Sequence, residues 1–156
     1  MGQLGSALDA LAADDLHALP AGAQLDRIRD LAQIRNRIDA EIARSVRVAE
    51  TTQAAEHDGQ KTMPSWLRGH CHLSPRAATL LARNGRALEH LPAVAAACAA
   101  GAITADQLTV IAPITTPDRR AAAAEQAVDL AGIEQVLIEV ATGQRYDRLP
   151  RWWSTT

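Results

Sequence analysis

Phenylalanine is absent from this sequence, and tyrosine and tryptophan together make up only 3% of it. The core must therefore be filled by aliphatic side chains. Two cysteines, Cys71 and Cys98, are too few for a disulfide framework or a four-cysteine metal site. Reduced thiols and a cytoplasmic location are the expectation. Lysine is nearly missing: Lys61 stands alone among 16 basic residues, the rest being arginine. The net charge of −2 lacks the strong basic excess of a wholesale nucleic-acid binder. No apolar run is long enough to cross a bilayer. The longest nearly uncharged stretch, Leu91 to Ala105, is broken by Pro92 and Gly101. The first ten residues do not resemble a signal peptide. Phosphate loops, nucleophile elbows, HExxH zinc motifs and dinucleotide fingerprints are all missing. No membrane partner, cofactor or metal is expected.

What is abundant is alanine, about a fifth of the 156 residues and far above ordinary usage. Hydrophobic residues make up 47% and charged residues 22%, a globular balance. Alanine favours helix and disfavours strand, and no apolar/polar alternation runs beyond a few residues. The expectation is an all-α multi-helix bundle of about seven helices. One helical domain spans 1–143 and a tail follows over 144–156.

Punctuation places the elements. Ser6 is positioned to cap a first helix, Ala7 to Leu19, ended by Pro20. One long helix is expected from about Gly22 to Glu56. Ile28, Leu31, Ile34, Ile38, Ile42, Val46 and Ala49 form its apolar stripe. Charge pairs at helical spacing line the rest: Asp26 with Arg29, Arg35 with Asp39, Arg37 with Glu41, Glu41 with Arg44, Arg47 with Glu50. Arg35 points into the stripe, as a buried pair or a snorkelling side chain. Such a helix is about 50 Å long, whereas a compact domain of this size has a radius of gyration near 15 Å. It overhangs its own core, so another helix, a second copy of the chain or further domain segments must cover it. Ile28, Leu31, Ile38 and Ile42 are the expected interaction face, and a homodimer is one expected partner.

Further on, Asp58-Gly59 reads as a turn and Thr62 as the cap of a short helix carrying Trp66 and Leu67. Ser74-Pro75, Leu91-Pro92 and Thr116-Pro117 open helices, because proline suits the first helical position. Gly101 and Gly132 are expected to terminate helices. Thr104 to Gln107 matches a capping box. A last segment runs from Ile133 to Ala141 and ends at Gly143.

Few constellations suggest chemistry. His70-Cys71-His72 resembles metal ligands, but adjacent residues point in different directions and no second pair completes a zinc set. Asp14-Asp15 is a carboxylate pair whose members do not face each other on a helix. A helix-turn-helix around Gly101 meets two objections. The would-be recognition helix, Ala105 to Ala112, has no Arg or Lys, and Gln107 falls where such motifs bury an apolar residue. The stronger electrostatic feature is the helix before it. Arg76, Arg83, Arg86 and His90 fall within about 80° on a helical wheel, with Arg68 just upstream. Arg68, Arg76, Arg83 and Arg86 either neutralise DNA phosphate or form a solvated, ion-paired face. Trp152 and Trp153 either fold back or form a contact patch.

Several segments follow one another at the spacing of one family: Pro64-Ser65-Trp66-Leu67, Leu81-Ala82-Arg83, Arg86 to Pro92, Gly101 to Thr104, and Val110-Ile111-Ala112. Over roughly residues 5–140 the chain resembles the helical domain of unknown function 222 of the actinobacterial 13E12-repeat proteins. It carries Arg83-Asn84-Gly85-Arg86 where an Ala-Arg-based run is usual. The resemblance implies a mobile-element or DNA-processing setting beside an HNH nuclease domain. That nuclease has no counterpart here, since no histidine or cysteine follows Gly143, and a truncated or stand-alone copy is expected. It supplies no catalytic residues. The expected function is a non-catalytic accessory module contacting DNA phosphate, with a protein-interaction or dimerisation module as the alternative.

Overall fold

A computed structural model describes residues 2–143, and Trp152 and Trp153 lie outside the described residues. The chain is all-α, with nine α-helices, two 3-10 turns and no strand among the described residues. It divides into two compact units, Met1–Gln33 and Ile34–Thr156.

The first unit holds α1 (Gly2–Ala12), a 3-10 turn (Leu16–Ala18) and the start of α2 (Ala21–Thr51). The expected helix over 7–19 is displaced. Ser6 is inside α1, its hydroxyl donating to the Gly2 carbonyl at 3.2 Å, and Asp15 takes the capping role by accepting from the His17 N–H at 3.0 Å. Aspartates bond nearby backbone in non-helical conformations, and Asp15 does so here, beyond the end of the helix that alanine would extend. Polar bonds fasten this unit. Arg27 donates to Asp14 at 2.5 Å and to the Leu11 carbonyl at 2.7 Å, while Gln24 donates to the carbonyls of Leu16 and Leu19 at 3.1 and 2.9 Å.

α2 spans 31 residues and about 46 Å, and it stops short of the expected Glu56. The hydroxyls of Thr51 and Thr52 both donate to the Val48 carbonyl, at 2.8 and 3.0 Å. Gln53 then turns left-handed (φ 55°), and α3 (Ala54–His57) begins a new direction.

The second unit continues with α4 (Met63–His70), α5 (Pro75–Leu88), α6 (Pro92–Ala99), α7 (Ala105–Ile111), a 3-10 turn (Ala112–Thr115), α8 (Pro117–Glu125) and α9 (Leu130–Gly143). Thr62 and Ser74 accept from the N–H groups of Ser65 and Ala77, at 3.2 and 3.1 Å. The Thr104–Gln107 capping box closes with both bonds formed. Gly101 takes the left-handed conformation (φ 79°) its place after α6 requires. Gly132 is not a stop. α8 ends at Glu125 and Ala127 makes the left-handed turn (φ 50°). The Gly132 N–H donates to the Asp129 carboxylate at 3.1 Å, so this glycine lies in the first turn of α9 under an aspartate cap.

Two apolar clusters form the core of this unit. One gathers Leu91, Val94, Cys98, Ile103, Leu108 and Ile111 around Ala40. The other gathers Val46, Met63 and Leu67 with Ala55, Ala78 and Ala82. Alanine lets helices approach closely, and Gly85 takes this furthest: a Cβ there would stand 2.5 Å from the Ala43 carbonyl oxygen of α2. α6 is capped from a distance. Its N-cap residue, Leu91, has no side-chain acceptor, and buried Glu134 of α9 accepts from the N–H groups of Ala93 and Val94 at 2.8 and 3.1 Å.

Candidate functional site

The four arginines expected to contact phosphate fall into two pairs with different surroundings. Arg68, on the last turn of α4, and Arg76, on the first turn of α5, are exposed and have no partner among the described residues. Arg83 and Arg86, further along α5, are engaged within the chain. Half-buried Arg83 donates to the Thr109 carbonyl at 3.0 Å, fastening α5 to α7, and its Nε is buried without a partner. Arg86 makes a bidentate pair with Glu50 of α2, its Nε at 2.8 Å from one oxygen.

That pair belongs to a network. Arg47 donates to Glu50 at 3.0 Å and to Glu89 at 2.7 and 3.0 Å. The Arg86 hydrogen bonds hold the Glu50 carboxyl below its ordinary range, and those of Arg47 do the same for Glu89. The two guanidiniums are held more firmly protonated in return. Of the arginines on α5, Arg86 alone is thus answered by a carboxylate from α2. His90, counted with the same stripe, faces Arg120 at 3.1 Å. The sequence could show pairings within α2: Asp26–Arg29, Arg35–Asp39, Glu41–Arg44 and Arg47–Glu50 form, whereas Arg37 does not pair with Glu41, whose carboxylate turns to Arg44. Arg35 lies exposed rather than buried with its partner. The Glu50–Arg86 and Arg47–Glu89 bonds join residues 36 and 42 positions apart, beyond the reach of helical spacing.

The expected interaction face also divides. Ile28 and Leu31 lie in the first unit, 63% and 37% exposed. Ile38 is half-buried and Ile42 exposed, and both lie in the second unit. Neither Ile28 nor Leu31 has a core to join, because no residue over 2–33 is buried. Leu4, Leu8, Leu16 and Leu25 are exposed in the same unit.

The His70-Cys71-His72 run spreads apart. His70 stacks on Trp66 (ring centroids 4.9 Å apart) and approaches Asp58 at 3.3 Å, where the Trp66 indole N–H also donates at 2.7 Å. His72 is left-handed (φ 54°) and Cys71 is exposed. No cluster of three metal-ligating side chains occurs among the described residues. Gln107, the residue at odds with a helix-turn-helix, donates to the Ala141 carbonyl at 2.8 Å and so tethers α7 to α9. No helix among the described residues is long and apolar enough to cross a membrane. No family model, curated protein or solved structure matches this chain.

Proposed function

We propose that this chain is a non-catalytic helical interaction module whose N-terminal hairpin pairs with a second copy of itself. One observation carries the reading: over residues 2–33 no residue is fully buried and only Leu11, Leu19 and Arg27 are half-buried, while Leu4, Leu8, Leu16, Leu25, Ile28 and Leu31 are exposed. Short helices in water gain their stability by burying an apolar face, and polar bonds such as Arg27 to Asp14 add little at an exposed position. Burying each such side chain is worth roughly 1.5–3 kcal/mol, so a partner surface changes the balance for the whole hairpin. Two-fold pairing is the simplest arrangement, since the same patch then serves both sides. Sedimentation of the full chain at tens of micromolar tests it. A dimer that Leu25→Glu plus Ile28→Glu converts to monomer is expected, and a strict monomer at high micromolar concentration overturns self-association.

A second reading is DNA contact, supported by Arg68 and Arg76, whose charge is unanswered among the described residues. It suits the resemblance to the helical domain of the 13E12-repeat proteins, in which this module would act beside an HNH nuclease. Two arginines neutralise few phosphates, so any affinity is weak with a shallow salt slope. Equal duplex binding by the wild type and an Arg68→Ala/Arg76→Ala variant in a salt titration removes this site.

A further inference from the structure

We propose that the second unit holds a binding site for a small neutral hydrocarbon bearing one hydroxyl group, seated between the two core clusters with its hydroxyl on Asn84. The site is a cavity of about 280 Å³. Leu67 and Leu81 from one cluster and Cys98, Ile103 and Leu108 from the other line it, with Ile42 of α2 beside them. An engineered apolar cavity of about 150 Å³ takes up benzene, and water in bulk occupies about 30 Å³. The space here suits roughly ten non-hydrogen atoms, and a mostly aliphatic wall offers water few bonds.

Asn84 supplies the polar point. It sits inside α5 and is only 4% exposed. Its Nδ2 donates to the Thr109 hydroxyl at 2.9 Å, and its Oδ1 is buried with no partner. Asn84 borders the cavity and Thr109 does not, and a small rotation of the amide toward the cavity brings Oδ1, now shielded from it, onto a ligand hydroxyl. Asparagine is a poor helix former, and a buried carbonyl left unbonded is costly. A ligand O–H satisfies it. A hydroxyl also accepts, so it suits the amide in either orientation.

The mouth sets the charge. Asp39 lines the cavity and pairs with Arg35 at 3.7 Å outside, so an anionic ligand would meet a carboxylate. Asn36, also on the wall, donates to the Gly101 carbonyl at 3.1 Å and is already engaged. A neutral alcohol or phenol is the class that fits.

Two thiols on the wall provide a readout. Cys71 is exposed, while Cys98 is buried and its thiol is pushed up to about 11 by that burial. At pH 8 a thiol reagent therefore titrates Cys71 first. The test uses the full chain with 4-propylphenol and with propylbenzene, which lacks only the hydroxyl. The expected result is that 4-propylphenol slows Cys71 labelling and raises the melting temperature in the wild type, with propylbenzene at least fivefold weaker. Asn84→Leu should lose that preference. The wild-type labelling result stands even if this variant does not fold. Absence of protection by either compound at millimolar concentration means that the cavity holds water only and overturns the proposal. Equal protection by both compounds in the wild type overturns the role of Asn84.

Discussion

At the scale of single residues, the chain relies on a few positions where chemistry and space are tightly matched. Gly85 is one, because the atom a Cβ would meet is the backbone oxygen of Ala43 and cannot turn aside. Gly85→Ala should destabilise despite alanine's better helix propensity. Overpacking costs about 1–3 kcal/mol and the propensity gain returns at most about 1, so a fall of several degrees in melting temperature is expected. An unchanged or higher melting temperature would show that α2 and α5 can separate freely. Glu50 is another. Its carboxyl lies below its ordinary range chiefly through the Arg86 hydrogen bonds. A depressed carboxyl contributes stability that is present above the unfolded value, about 4.3, and is lost as pH falls through the lower folded value. Melting curves from pH 7 to pH 3 should therefore decline below pH ~4.3, and Glu50→Gln should decline less steeply from a lower starting point. Parallel profiles would mean that the pair does not drive the acid response.

At the scale of elements, what the structure adds to each helix is its distant partner. α6 begins at Pro92, as the sequence indicates, but Leu91 before it offers no acceptor and the cap arrives from Glu134 of α9. Glu134→Ala leaves two helix N–H groups without their acceptor and should cost about 1–3 kcal/mol, read as a lower urea midpoint at unchanged m. Glu134→Gln keeps an acceptor oxygen and should recover part of the loss. If glutamine is no better than alanine, the carboxylate charge at the helix N-terminus matters more than the bonds. α5 and α7 are joined in the same manner, since Arg83 and Asn84 both bond Thr109. This is why Arg83, placed with the phosphate-contacting stripe by its helical angle, works as a fastener between helices.

At the scale of the whole molecule, the two units differ in how they are held. The second has two apolar clusters of buried residues and the first has polar bonds and no buried residue. Hydrogen exchange should therefore show the amides of residues 2–33 opening far more readily than those of α5 and α6 in dilute solution. Protection of the hairpin should rise with protein concentration if a second copy covers it. Equal protection of both units at the lowest concentration would mean that the hairpin is stable alone and needs no partner.

The helical class, and the starts of α4 through α8, were legible in the sequence because they depend on local chemistry: alanine content, a hydroxyl before a proline, a capping box. Where local signals competed, the reading failed. Asp15 capped a 3-10 turn within the expected first helix, the Thr51-Thr52 hydroxyls ended α2 early, and Gly132 opened a helix instead of closing one. Arg76, Arg83 and Arg86 shared one face of a helical wheel with Arg68 just upstream, and Glu50 and Thr109, brought in from α2 and α7, separated Arg83 and Arg86 from Arg68 and Arg76, which have no partner among the described residues. Asn84 stood out only as part of the Arg83-Asn84-Gly85-Arg86 departure from an Ala-Arg-based run, because an asparagine points to a site only when the space beside it is known. Local structure follows from neighbours along the chain, whereas burial, ion pairing and cavities are set by residues dozens of positions away, and tertiary packing alone decided those.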